Sequence, residues 1–172
     1  MSATAPSPVT HAVQGLVRSL HRKPETRSEH GLPKPVVPEI RIVPGGVEGD
    51  FNRFRHEEQH DEPNQAVLLM PVETIRSLNA EGWPIHEGDL GENITTEGIP
   101  YKEFHPGDKF RVGGATLEVS KPCDPCTNLY LLPYVGETKG PGFLKTMLHR
   151  RGWYASVARE GRIHTGDAIE RV

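Results

Sequence analysis

Short runs of Val, Ile and Thr, cut off every few residues by Gly, Pro or Asp, most restrict how this chain can fold. Eight runs stand out: Val13–Leu20, Val36–Val43, Ala66–Met70, Asn93–Thr96, Phe110–Val112, Ala115–Val119, Trp153–Val157 and Ala168–Val172. Branched side chains favour the extended backbone, and the punctuating residues turn it back. Three turns repeat one chemistry: His86-Glu87-Gly88-Asp89, His105-Pro106-Gly107-Asp108 and His164-Thr165-Gly166-Asp167. Glycine takes a positive φ at no steric cost and Asp accepts from nearby backbone N–H groups, which predicts tight turns leading into strands.

Two segments carry a helical period. Pro71 sits at the first helical position of one, with Val72, Ile75 and Leu78 at i, i+3 and i+6 and a stop near Gly82. The other covers Phe143–His149, with Phe143, Leu144, Met147 and Leu148 on one side and Gly152 as its stop. The fold expected is mainly β: a compact β-barrel with two or three short helices, formed as a single domain over residues 11–172 behind a disordered tail at 1–10.

A net charge of −3 favours neither nucleic acid nor an anionic membrane as partner. No apolar run approaches the roughly 20 residues that span a bilayer. The first residues carry neither a charged n-region nor an apolar h-region, so no signal peptide is expected. Two cysteines in such a chain suit a reducing compartment and a cytoplasmic location.

Those two cysteines lie together, in Lys121-Pro122-Cys123-Asp124-Pro125-Cys126, a proline-stiffened turn after a strand. Spacing leaves three readings open: two small buried residues, a metal site, or a reactive thiol. Zinc would need two further ligands, recruited from His149 or His105. A thioredoxin-like pair is opposed by Pro125 and the β-rich context. His56-Glu57-Glu58-Gln59-His60 matches H-E-x-x-H, but its flanks offer no apolar face for a helix, so a solvated charged loop is expected. The basic stretch Arg18–Lys34 reads as a solvated loop or as a phosphate grip with Lys34 as point charge. Arg150-Arg151 either caps a helix C-terminus or holds an anion. Gly88–Thr96 crowds Glu, Asn and two Thr between glycines, a density of polar groups that suits a binding loop.

In this order the pieces resemble the MOSC domain, the C-terminal module of molybdenum-cofactor sulfurases that also occurs in short stand-alone bacterial proteins. Gly46-Val47-Glu48-Gly49-Asp50 is similar to the family's glycine–hydrophobic–x–Gly–Asp element. His60–Val67 is similar to its histidine-led element, with Gln65 where Arg is usual. Gly91–Gly98 resembles its G-E-N–hydrophobic–T-T-x-G stretch, and Ser120–Cys126 its Q-P-R-x-P-C run, which places Cys126 on the signature cysteine. Arg151-Gly152-Trp153-Tyr154 with Gly166-Asp167 resembles the closing element of the short members.

The resemblance implies a barrel like that of pyruvate kinase and a protein that binds molybdenum cofactor (molybdopterin) or carries sulfur as a persulfide. It also implies reduction of N-hydroxylated small molecules, with electrons from a separate reductase. Cys126 becomes the candidate catalytic residue and molybdenum ligand. Lys34, Glu92, Asn93, Thr95, Asn128, Arg150 and Arg151 form the candidate cofactor-binding set. Cys123 stands where the family often has Arg, either as a lost anion contact or as an accessory thiol that resolves an oxidised or persulfidated Cys126.

Overall fold

The computed structural model describes residues 13–26, 30–51, 55–56 and 60–172. The expected tail at 1–10, Arg27 of the basic stretch, and residues 57–59 of the H-E-x-x-H match lie outside the described residues. The strands are β1 (Val13–His21), β2 (Val36–Val37), β3 (Glu39–Val43), β4 (Gly46–Val47), β5 (Val67–Pro71), β6 (Ile94–Glu97), β7 (Lys109–Val112), β8 (Ala115–Pro122), β9 (Trp153–Arg159), β10 (Gly161–His164) and β11 (Ala168–Arg171).

Seven of them close into a barrel in the order β1, β11, β7, β8, β9, β5, β6 and back to β1, with β2 paired to the outside of β1. A three-stranded sheet, β10-β3-β4, lies beside it. Closure leaves few free edges, which is how a set of short strands avoids open pairing. β5 and β6 run parallel, so their connection must cross over, and helix α1 (Val72–Ala80) makes that crossover. Both faces of β5 are therefore covered, and all five of its residues are buried.

Side chains fill the barrel interior, among them Val17, Leu20, Ile94, Phe104, Phe110, Leu117 and Ile169. A second cluster, including Met70, Leu78, Leu90, Leu129, Phe143 and Met147, packs where α1 and helix α2 (Gly136–Met147) cover one side. Each such buried side chain contributes on the order of 1.5–3 kcal/mol.

The three His-x-Gly-Asp turns form as expected. Asp89, Asp108 and Asp167 each accept from the backbone N–H of the His three residues earlier, at 2.9, 2.9 and 2.8 Å. Their glycines hold φ of 92°, 93° and 90°. Other boundaries differ. The run Val36–Val43 divides at Pro38, which has no N–H to give, and its halves join different sheets. β4 and β10 are too short or too polar to be seen in the sequence. Pro71 ends β5 and stands at the N-cap of α1, not at its first turn.

α2 begins seven residues before the expected Phe143 and ends at Met147. Gly140 and Pro141 sit inside it, a pair that reads locally as a break. Tertiary packing overrides this: a Cβ at Gly140 would lie 2.3 Å from the Tyr130 ring, so the glycine admits that ring against the helix. Leu148, expected on the buried side, lies beyond the helix end and is exposed.

Where α2 hands over to β9, Gly152 has φ of +110° and an added Cβ would meet the Leu69 carbonyl oxygen at 2.6 Å. Gly152→Ala is expected to destabilise the protein by about 1–3 kcal/mol, from strain at this backbone position. Urea denaturation measures it, and an unchanged midpoint would contradict the close approach.

Candidate functional site

Asn93 begins the site because its backbone and side chain together tie three parts of the chain. Its N–H donates to the Leu68 carbonyl at 2.9 Å, and its Oδ1 accepts from the Leu68 N–H at 3.1 Å. Its carbonyl accepts from the His21 N–H at 2.9 Å. Its Nδ2 reaches Asp50 Oδ2 at 3.0 Å. Asn93 is thus pinned between β1 and β5 with its amide turned to a buried carboxylate.

Asp50 collects three donors. Lys34 Nζ lies 2.5 Å from Oδ2, the Lys23 N–H donates to Oδ1 at 2.8 Å, and Asn93 completes the set. The side chains of Lys34 and Asp50 are only 5% and 10% exposed, so this is an ion pair that little water can screen. A cavity of about 50 Å³ opens on these groups, lined by Lys34, Asp50, Arg55, Gln65, Asn93 and Tyr154 together with backbone at Gly45 and Gly91. Arg55 donates to the carbonyls of Glu62 and Asp61, at 2.9 and 3.1 Å. Burial draws its pKa below the ordinary arginine value, against the pull of Asp61, Glu62 and Asp50.

A polar layer lies behind Asn93. Glu92 is fully buried, and its Oε1 accepts from the Gly88 N–H at 2.7 Å and from Thr95 Oγ1 at 3.2 Å. Thr95 Oγ1 and Ser19 Oγ flank His21 Nε2 at 3.4 and 2.9 Å. A Cβ at Gly88 would fall 2.4 Å from the Lys34 carbonyl oxygen and 2.7 Å from His21 Nδ1. The glycine at this turn is what lets the loop close onto the segment that carries Lys34.

The cysteine corner adjoins the cavity through Tyr154. A register shift between Val119 and Lys121 bends β8 against β9 just before the cysteines, the usual effect of a bulge at a strand end. Lys121 then pairs with Tyr154, and the Cys123 N–H donates to the Gly152 carbonyl at 2.8 Å. The segment 123–126 forms no hydrogen-bonded turn, contrary to the expectation from its prolines. It runs into a 3-10 helix (Thr127–Leu131) with Cys126 extended at its N-cap, at φ −137° and ψ 168°. The two thiols are consequently unlike: Cys123 is buried and Cys126 is exposed.

Tyr154 lies within electrostatic reach of Cys123, Cys126 and the guanidinium of Arg151, while the Cys123 thiol itself points at the Asp124 carbonyl at 3.7 Å. Burial raises its pKa well above the ordinary tyrosine value, the two thiols add to that, and Arg151 opposes it. Tyr101, beside the same corner, is pushed up to about 12 by burial and by Cys123 and Asp124. Arg151 is 5% exposed, and its Nε and Nη1 are buried with no hydrogen-bond partner among the described residues. A guanidinium held so is costly unless an anion completes it.

The expected site residues therefore part company. Lys34 and Asn93 line the cavity, while Glu92 and Thr95 form the layer that supports it. Arg151 faces the Tyr154 side. Asn128 is exposed on the 3-10 helix and does not line the cavity. Arg150 turns away: its Nη1 and Nη2 grip Glu81 at 3.0 and 2.6 Å, Nη2 also meets Ser77 Oγ at 3.1 Å, and Nη1 reaches the Thr146 carbonyl at 3.5 Å. It clips α1 to the end of α2 and is no anion grip at this cavity.

His60 has φ of 49° and His56 pairs with Asp61 at 3.1 Å, so the two imidazoles do not share a helical face as a zincin requires. Among the described residues no group of three or more His, Cys, Asp and Glu side chains could hold a metal ion, so zinc lacks its further ligands at the cysteines. Asp50, Arg55 and Tyr154 were missed as site residues. Asp50 was visible only as the end of a Gly-Asp motif, Arg55 was hidden in a charged run, and Tyr154 carried no signal beyond its place in Arg-Gly-Trp-Tyr.

The MOSC domain profile matches residues 56–170. Protein YiiM of Escherichia coli is 28% identical over 138 residues, covering 78% of this chain and 59% of that protein. The uncharacterised YflK of Bacillus subtilis is 28% identical over 116 residues, covering 64% and 49%. The chain thus spans about half to three fifths of the length of these relatives. Among solved structures, YUAD of Bacillus subtilis superposes with a TM-score of 0.75 at 20% identity, covering 91% of this chain and 94% of that one. YiiM of Geobacillus stearothermophilus does so with a TM-score of 0.67 at 24% identity, covering 94% and 75%. Both likenesses are in fold.

Asp50→Ala leaves the Lys34 ammonium buried without its partner and is expected to cost about 3–5 kcal/mol. Adding Lys34→Met removes the stranded charge and should return a large part of that loss. Chemical denaturation of the two variants decides it; a double variant no more stable than the single would contradict the pairing.

Proposed function

The chain belongs to the MOSC domain family, and on that premise we propose that it binds molybdenum cofactor and uses it to reduce N-hydroxylated small molecules. The observation that carries the reading is the inequality of the two cysteines, Cys126 exposed and Cys123 buried, with a buried Arg151 nearby in Tyr154's surroundings whose Nε and Nη1 have no hydrogen-bond partner among the described residues. A thiolate is the soft ligand such a metal favours, and an unpartnered guanidinium calls for an oxyanion.

The residues fit the group in two respects. Cys126 offers its sulfur from an extended backbone that Pro125 precedes, so the thiol is presented on a restrained chain. Lys34 and Arg55 line the cavity as cationic groups for a phosphate, and Gln65 adds an amide there. A cavity of about 50 Å³ suits a compact anionic group, with any larger ring system lying outside it. When bound, the molybdenum cofactor supplies the two-electron redox chemistry. Asp50 holds Lys34 in place, and Asn93 closes the wall between β1 and β5. The electrons come from a separate donor protein, because the sequence has no dinucleotide-type glycine fingerprint.

Among the described residues no helix is long and apolar enough to cross a membrane. Two free cysteines suit a reducing, cytoplasmic setting.

A second reading rests on the same exposed thiol: Cys126 carries a persulfide and the buried Cys123 releases it. Expression in a host that makes the cofactor, followed by elemental analysis, separates the two. Stoichiometric molybdenum in the wild type that falls to background in Cys126→Ser is the expected result. Equal metal content in both proteins would remove the ligand assignment. A metal-free protein with an extra sulfur on Cys126, seen by non-reducing mass spectrometry, would establish the carrier reading instead.

A further inference from the structure

Gln65 is only 6% exposed, yet it lines the cavity beside Lys34, Asp50, Arg55 and Asn93. A short 3-10 helix, Pro63–Gln65, fixes its backbone. Glu62 Oε1 caps that helix by accepting from the Asn64 N–H at 3.0 Å, and the Gln65 N–H donates to the Glu62 carbonyl at 3.0 Å. Ser120 Oγ ties the Asn64 carbonyl to β8. The side-chain amide of Gln65, by contrast, has no hydrogen-bond partner among the described residues. A buried amide is costly in that state, and a ligand in the cavity would complete it.

The neighbouring polar groups are partly spent. Lys34 gives one of its three N–H donors to Asp50, and the other two have no partner among the described residues. Both amide hydrogens of Asn93 are taken, by Asp50 at 3.0 Å and by the His21 carbonyl at 3.4 Å. What remains for a ligand is mainly N–H, from Lys34 and from Gln65. The charges are also set. Lys34 and Asp50 cancel, and Arg55 leaves the lining with one positive charge.

We propose that the cavity takes a singly charged oxyanion and that Gln65 is the residue that sets this preference. The inference rests on the anion-binding role proposed above for Lys34 and Arg55, and narrows it to one class of anion. Acceptor oxygens match the donors that remain. One negative charge balances the lining, whereas a second would lie unbalanced beside the buried Asp50 carboxylate. Gln65 contributes an N–H donor without a charge, so it binds the anion and leaves that balance intact. A cationic side chain at the same position would admit a dianion. A phosphate is therefore held here as a diester, and a carboxylate presents the same chemistry.

Titration calorimetry of the full chain at pH 8 and fixed ionic strength tests this with dimethyl phosphate, methyl phosphate and acetate. Methyl phosphate is doubly charged there, its second pKa being about 6. The wild type is expected to bind dimethyl phosphate about 10-fold or more tightly than methyl phosphate, although the diester is the bulkier of the two. Gln65→Arg should reverse that order. Gln65→Met removes the amide at similar volume without adding charge. It should weaken dimethyl phosphate by about 10-fold and keep the order. Acetate identifies the source: tighter binding than dimethyl phosphate marks a carboxylate ligand, weaker binding a phosphodiester, and both are singly charged oxyanions. A wild type that prefers methyl phosphate overturns the assignment and needs no variant to show it. So does an unchanged order in a Gln65→Arg protein whose denaturation midpoint matches the wild type. Either result leaves the molybdenum reading to its own elemental analysis. A wild type that binds none of the three overturns the anion site itself.

Discussion

The buried carboxylate of Asp50 is the constraint on which the rest of the site depends. It draws together an ammonium from the 30s, a backbone N–H at Lys23 and the amide of Asn93, all within 3.0 Å. None of these segments neighbours another in sequence. Removing such a charge from water costs several kcal/mol, and only a full set of donors offsets that. The carboxylate therefore dictates where the loop bearing Lys34 must lie, and that placement in turn forms one wall of the cavity.

The barrel supplies the opposite wall. Asn93 reaches Asp50 from the start of β6, next to the parallel β5–β6 pair that α1 connects. Parallel pairing forces the crossover helix, the helix covers the outer face of β5, and the strand becomes wholly apolar. Polar chemistry is consequently pushed to the strand ends, where Asn93, Tyr154 and the cysteines stand. The bulge in β8 aims that end of the sheet and divides the two thiols into one buried and one exposed.

Much of the strand pattern was legible because β-branched runs and His-Gly-Asp turns act locally. The turn at 105–108 is closed by its own Asp and glycine whatever surrounds it. The second helix was read too short, since Gly140 and Pro141 look like a stop until Tyr130 is seen packed on the glycine. Of the anion-binding candidates, Lys34 lines the cavity while Arg150 grips Glu81 away from it. The two arginines at 150 and 151 are adjacent in sequence, yet one clips two helices at the surface and the other is buried with its Nε and Nη1 unbonded among the described residues. Neighbours in a chain leaving a helix can point to opposite sides, and no spacing rule separates them.

By itself the sequence determined the β-rich barrel class, the closing turns, the Gly-Glu-Asn loop and the identity of the pair Cys123 and Cys126, since each rests on residue chemistry acting over a few positions. Only the tertiary structure decided which cysteine faces solvent, which arginine is buried, and that Tyr154 lies between the cavity and the cysteine corner. Those outcomes depend on strand register and burial, contacts between residues far apart in the chain, such as Asp50 and Asn93 at 43 positions, that no local pattern encodes.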